Sequence, residues 1–292
     1  MAKLQCALAI AGALACARAK PDPVDAASAT QAAVAPRAPA AVSAAPAGAG
    51  VVREETVVRM GATPERWALV WRRPPRPACG PEEPEMALTC PCTGFAYGEA
   101  GELDLVRRRP GQAEERLALT PLFREAGGDG PGDIDSLAVL QRWPVREPDV
   151  EAMDGEGLPR AIRARRAVRV MALGDYDHDG RATEFLLQVG TLPCGKRQAV
   201  LVGVSRANSS MHVFRSQGHP GQPLVLPTYV WERLRRSGGR ATIVEWPCGD
   251  HGAETETDVS LWAGPAGIDG TRAEYECTAG TSRGRLLSTS RM

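Results

Sequence analysis

The densest chemistry in the sequence is the string Asp175-Tyr176-Asp177-His178-Asp179-Gly180. Asp175, Asp177 and Asp179 stand at positions 1, 3 and 5 of a loop, so a tight turn aims alternate carboxylates at one centre. Gly180 at position 6 permits the sharp bend, and Arg181 at position 7 offers its main-chain carbonyl. Hard oxygen donors in this spacing suit Ca2+, which takes about 6–8 oxygens at about 2.3–2.6 Å. A solvated turn without metal explains the same residues, and both readings stand at this point.

A second cluster is Gly249-Asp250-His251-Gly252, followed by Glu254, Glu256 and Asp258. His251 with Asp250 and Glu254 has the composition of a general-base site, as in a secreted hydrolase. The bland account is a glycine-rich loop entering a strand with Glu256 and Asp258 on its wet face. His178, at position 4 of the acidic loop, points away from the loop's centre. No nucleophile elbow, phosphate-binding loop, dinucleotide fingerprint or His-Glu-x-x-His helix occurs in the sequence. The arginines at 160–169 read as the wet face of a strand leading into the loop, partly balancing its aspartates.

Of eight cysteines, Cys6 and Cys16 fall in the leader, leaving Cys79, Cys90, Cys92, Cys194, Cys248 and Cys277. An even set in an oxidising compartment argues for disulfides. Zinc is disfavoured, because the only close pair is Cys90-Pro91-Cys92 and no second knuckle matches it. The twin contexts Pro193-Cys194-Gly195 and Pro247-Cys248-Gly249 suggest that Cys194 bridges Cys248.

The elements that must position these groups are mostly strands. Residues 67–71 read as a strand, and 102–106 and 115–119 as a hairpin about Pro110-Gly111. A short apolar run covers 137–140. Between 167 and 215 the pattern predicts a four-stranded antiparallel meander: 167–173, 185–189, 199–204 and 211–214. Residues 199–204 have no polar face, so that strand must be covered on both sides. A short helix over 228–236 follows, capped by Thr228 and stopped by Gly238-Gly239. Strands at 241–246, 257–262 and 271–277 complete a mainly-β domain over 51–280, with a frayed tail over 281–292. The meanders imply a sandwich or a propeller-blade-like arrangement.

The acidic loop lies between strands, and position 12 is Leu186 and not Glu, so the segment is no EF-hand. Gly174-Asp175-Tyr176-Asp177-His178-Asp179-Gly180 followed by an apolar strand resembles the FG-GAP/VCBS repeat of integrin-type propellers. The resemblance covers about 169–214 and implies a structural calcium loop joining two strands of a blade-like hairpin. It departs from the family at position 9, usually an acid, where this chain has Thr183. Glu184, one place later, is the side chain that would complete the shell.

The remaining signals concern address and class. Lys3 and an apolar stretch over 4–15 fit a signal peptide over 1–17 that is too short to span a bilayer, which needs about 20 residues. Ala15-Cys16-Ala17 suits a signal peptidase, whereas Gly12-Ala13-Leu14-Ala15-Cys16 resembles a bacterial lipobox that would leave Cys16 lipidated. Residues 18–50 form an Ala/Pro-rich tract too poor in large apolar groups to fold, a linker or tether. Net charge is zero, so no basic field exists to hold nucleic acid. Contact with a membrane runs only through a lipid on Cys16. These features describe an exported or lipid-anchored cell-envelope module, non-catalytic, with structural Ca2+ and an envelope or extracellular ligand. The alternative is the hydrolase built on the 249–258 cluster. The tryptophans Trp143, Trp231, Trp246 and Trp262 would form a carbohydrate-stacking platform if exposed together, or core if buried.

Overall fold

The computed structural model describes residues 50–61, 63–79, 95, 97–125, 137–145, 158–191, 196–215, 218–264, 267–278 and 282–292. All of them belong to one compact unit. The leader, nearly all of the linker, and Cys90, Cys92 and Cys194 lie outside the described residues. The chain is mainly β, and its strand pairs are antiparallel.

Sheet 1 has the order β1 (Val51–Arg59), β2 (Pro64–Trp71), β5 (Leu103–Arg108), β6 (Glu115–Ala118). The hairpin read about Pro110-Gly111 is β5–β6, with Leu105 opposite Leu117. A smaller sheet 2 joins β3 (Arg76–Ala78), β4 (Gly98–Gly101) and β7 (Ala138–Gln141). In sheet 3, β8 (Glu184–Thr191) runs the length of one side of β9 (Arg197–Gly203). On the other side β10 (His212–Val213) and β11 (Leu226–Pro227) lie end to end. Sheet 4 is a sequential meander of β12 (Arg240–Trp246), β13 (Thr255–Gly264), β14 (Gly267–Thr278) and β15 (Ser282–Arg291). The described helices are α1 (Thr120–Glu125), α2 (Leu158–Arg163) and α3 (Thr228–Arg236). None of them is long and apolar enough to cross a membrane.

Sheet 3 is the middle layer, and the all-apolar run of β9 is the reason. Val200 and Val202 join Phe185, Leu187 and Val189 of β8 against Trp67, Leu69, Leu103 and Leu105 of sheet 1. Ala199 and Leu201 point the other way, onto Val230, Trp231 and Leu234 of α3 and onto Val259 and Leu261 of β13. Each such valine, leucine or phenylalanine, fully removed from water, contributes about 1.5–3 kcal/mol, so a strand buried on both faces anchors two cores at once. Trp231 also satisfies its one polar atom there, donating Nε1–H to the Ala199 carbonyl at 2.9 Å.

Several expectations are corrected. Residues 167–173 form no strand and bend at Val170, so the meander is β8 and β9 with two short partners. A side chain replaces the expected ladder: Glu54 of β1 accepts the N–H groups of Val170 at 2.7 Å and Met171 at 3.1 Å. The arginine run is no strand face either. Arg163 ends α2, Arg165 donates to the Pro144 carbonyl at 2.7 Å, and Arg169 turns toward Glu54 at 3.6 Å. The helix spans 228–236 as predicted, yet Pro227 holds the N-cap position and no side chain caps it. The tail read as frayed is β15, ten residues long and paired with β14. Its Ser/Thr/Arg-rich composition hides a strand because its side chains are mostly exposed.

Cys248 bridges Cys277, not Cys194, with 5.5 Å between the Cα atoms. The ladder explains it: Cys277 N–H donates to the Glu254 carbonyl at 2.9 Å, which sets the end of β14 beside the turn carrying Cys248. Local Pro-Cys-Gly context holds no such register information. Cys79 is also disulfide-bonded.

Candidate metal centre

The loop from Gly174 to Glu184 is closed at its neck by one isolated bridge. Gly174 N–H donates to the Glu184 carbonyl at 2.8 Å, and Glu184 N–H returns to the Gly174 carbonyl at 3.2 Å. Within the loop, Gly180 takes φ +88°, a left-handed conformation that glycine adopts without steric cost. Its N–H donates to Asp175 Oδ2 at 3.1 Å, and Asp179 N–H donates to Asp177 Oδ1 at 3.0 Å. Opposite the neck, Gly203 pairs with Glu184, and a Cβ there would lie 2.2 Å from the Thr183 carbonyl oxygen. Only glycine lets β9 approach closely enough to seat Glu184.

One ligand oxygen each from Asp175, Asp177 and Glu184 lies within 4.8 Å of the other two. Two oxygens on opposite sides of a calcium ion stand about 5 Å apart, so the spacing admits such an ion. Asp177 and Glu184 are fully buried. Asp177 Oδ2 and Asp175 Oδ1 are buried with no hydrogen-bond partner. Glu184 accepts from Tyr176 N–H at 2.9 Å and lies 2.6 Å from the Thr183 hydroxyl.

Burial pushes the Asp177 carboxyl up to about 6, with the charges of Asp179 and Asp175 adding to the rise and the Asp179 N–H opposing it. Burial likewise pushes Glu184 up to about 8; the Thr183 hydroxyl opposes the shift and the Asp177 charge adds to it. The same low polarity that penalises these anions strengthens their hold on a cation.

Asp179, expected among the ligands, stands apart from this trio, and Arg181 was expected to contribute its main-chain carbonyl. Asp179 is buried, but both its oxygens face backbone donors: Arg181 N–H at 2.9 Å and Arg206 N–H at 2.7 Å. Arg181 is held through that N–H, and its side chain is exposed. His178 does point outward. It adopts φ +55° and reaches the Leu234 carbonyl at 3.2 Å through Nε2, which must carry the proton because a carbonyl only accepts. Tyr176 donates its hydroxyl to Glu232 at 2.8 Å, so the loop is docked on α3 at two points. Sequence reading found the acids but missed this docking and the part played by Arg206. The Ser and Asn cluster over 205–210 was the available signal for a structured turn there.

The 249–258 stretch does not converge on one centre among the described side chains. Glu256 accepts from Cys248 N–H at 3.0 Å and pairs with Arg283, which also holds Asp258 at 2.6 Å. Asp250 pairs with Lys196 at 3.7 Å, and Glu254 is exposed. His251 lies in a 3-10 turn over Asp250–Gly252, and its side chain is outside the described set. The tryptophans share no face. Trp231 is core, Trp246 lies under Lys196 Nζ at 3.5 Å, Trp143 is half-buried, and Trp262 is exposed.

Comparison with models of protein families, with curated proteins and with solved structures gives no match in any of the three.

Proposed function

We propose that the chain is an exported or lipid-anchored β-rich module of the cell envelope, non-catalytic, holding one structural Ca2+ in the 175–184 loop. One contrast supports the ion. Outside the loop, the buried acids are each matched by an arginine side chain: Glu65 by Arg107, Asp104 by Arg72 and Arg116, Glu245 by Arg272, Glu256 by Arg283, Asp269 by Arg291; within it, Asp179 is met by two main-chain N–H groups. Asp175, Asp177 and Glu184 have no such partner among the described residues, although two of them are fully buried. Buried charge left unpaired is costly and is met in proteins by pairing or by metal. An all-oxygen, carboxylate-rich set favours a hard cation, and calcium over magnesium because Mg2+ demands tighter octahedral geometry.

The Cys248–Cys277 bridge fits an oxidising compartment, where disulfides persist. The engagement of Glu256, Asp258 and Asp250 in ion pairs gives the hydrolase alternative no specific support. The module's work is then binding an envelope or extracellular ligand, with the ion fixing its loop. Calorimetric titration of calcium chloride into chelator-treated protein tests the ion: one saturable site is expected, and a flat titration overturns the reading.

A further inference from the structure

Resting on the cation reading above, we propose that Asp179 is a positioning residue and not a ligand: Asp175, Asp177 and Glu184 carry the ion, while Asp179 ties their loop to the turn between β9 and β10. The alternating spacing makes the three aspartates equivalent, but their hydrogen bonds separate them. Asp175 and Asp177 each commit one oxygen to a loop N–H and keep the other buried and unpartnered. Asp179 commits both, one to its own loop and one to Arg206, 27 residues later. Both oxygens of Glu184 also have partners, Tyr176 N–H and the Thr183 hydroxyl, but one of them lies within 4.8 Å of the ligand oxygens of Asp175 and Asp177, a group that Asp179 does not join, because the Gly174 bridge and the bare Gly203 hold the first residue of β8 against the loop.

What Asp179 grips is itself held at its far end. The turn is closed by Ser205 N–H to the Asn208 carbonyl at 3.0 Å and Asn208 N–H to Ser205 Oγ at 3.1 Å. Beyond it, Arg107 of β5 donates to the Ser209 carbonyl at 2.6 Å, and Glu115 of β6 accepts the Met211 N–H at 2.6 Å. Sheet 1 therefore fixes one end of this turn, and the ion's loop fixes the other through the Asp179 carboxylate at Arg206 and the Thr183 hydroxyl, 3.0 Å from the Val204 carbonyl. Ordering Asp175 and Asp177 around the ion orders Asp179 between them and Arg206. Outer groups that orient ligands typically change metal affinity by about 10–100-fold when removed, less than the loss of a ligand itself.

The test is calcium titration calorimetry on the intact protein and three variants, with far-ultraviolet circular dichroism as the check of folding. Asp177→Asn and Glu184→Gln should show no binding heat at millimolar calcium. Asp179→Asn, which keeps an acceptor oxygen, should bind with affinity lowered about tenfold, and Asp179→Ala by nearer a hundredfold. Loss of binding in Asp179→Asn together with retention in Glu184→Gln overturns the assignment. If Asp179→Asn does not fold, amide exchange in the wild type decides the matter. The Arg206 N–H should stay protected when calcium is added, and loss of protection, its acceptor having turned to the ion, overturns the proposal. A wild type that takes up no calcium overturns the cation reading itself, and the assignment with it.

Discussion

The hydroxyl of Tyr176 donates to Glu232 Oε1 at 2.8 Å, which joins the second residue of the acidic loop to the middle of α3. Burial and the neighbouring Glu232 carboxylate both raise the Tyr176 hydroxyl above its ordinary range, so it stays a donor at any physiological pH. Burial works against charge on Glu232, yet hydrogen bonds from Arg235 and Tyr176 prevail and keep it ionised. Tyr176→Phe keeps the ring in the second core and removes only this bond. The expected loss is about 1–2 kcal/mol in urea unfolding, in the range for a bond to a charged group. An unchanged midpoint would show that the contact contributes nothing.

Calcium should raise the melting temperature of the protein. An ion that binds only the folded chain stabilises it by about 2.7 kcal/mol at a hundredfold excess over Kd, a shift on the order of 5 °C for a domain of this size. Asp177→Asn should abolish the shift while melting no lower than the wild type in chelator, because it removes an unpaired buried charge. Scanning calorimetry in millimolar calcium against chelator reads both effects. Magnesium should give the smaller shift.

Acid should weaken the fold through its arginine-paired carboxylates. The Arg291 guanidinium holds Asp269 below the usual carboxylate range, and the Cys248 N–H with Arg283 does the same for Glu256. Burial alone would raise Glu65, but the hydrogen bonds from Arg107 and Trp67 outweigh it. A carboxylate depressed in the folded state contributes stability above its unfolded pKa of about 4, lost as pH falls through the lower folded value. These pairs therefore contribute fully above about pH 5 and fail below about pH 4. Arg291→Ala should move the midpoint of acid unfolding to higher pH. A midpoint unmoved by the substitution would mean that the pair does not contribute.

The Cys248–Cys277 bridge closes a segment with sequence separation 29. For a loop of that length the chain-entropy model gives about 3–4 kcal/mol. Cys248→Ser should cost that much in denaturant unfolding, and non-reducing peptide mapping should recover the two cysteines on one linked pair of peptides. Recovery of Cys248 linked to Cys194 would contradict the register of β14.

Labelling of growing cells with a palmitate analogue decides the anchor. Label that is present on the wild type and lost after Cys16→Ser is the outcome for the lipid-anchored form, and an unlabelled wild type is the outcome for the secreted one.

Much of the strand pattern was legible because apolar runs and turn residues coincide. The 199–204 run announced a strand covered on both faces, and Pro110-Gly111 announced the β5–β6 hairpin. The same logic failed where side chains replace the ladder, as with Glu54 holding residues 170–171, and where an exposed strand carries few apolar groups, as in β15. At the acidic loop the acids and their order were readable from spacing. Their division was not, because Asp179 is redirected by Arg206, a partner no local pattern announces.

Sheet 4 pairs each strand with its neighbour in sequence, β12 to β13 to β14 to β15, and every connection between them is short. Its closing loops therefore cost little chain entropy, whereas sheet 1 must bring β2 to β5 across the whole of β3 and β4. Assembly has a natural order in consequence. The C-terminal meander is the four-stranded sheet able to form by local steps throughout, and pulse-labelled amides of β13 and β14 should gain protection before those that join β2 to β5. The middle layer then condenses between two surfaces, one already shaped and one arriving late, so a nascent chain stalled short of β15 leaves its fastest-folding unit unfinished.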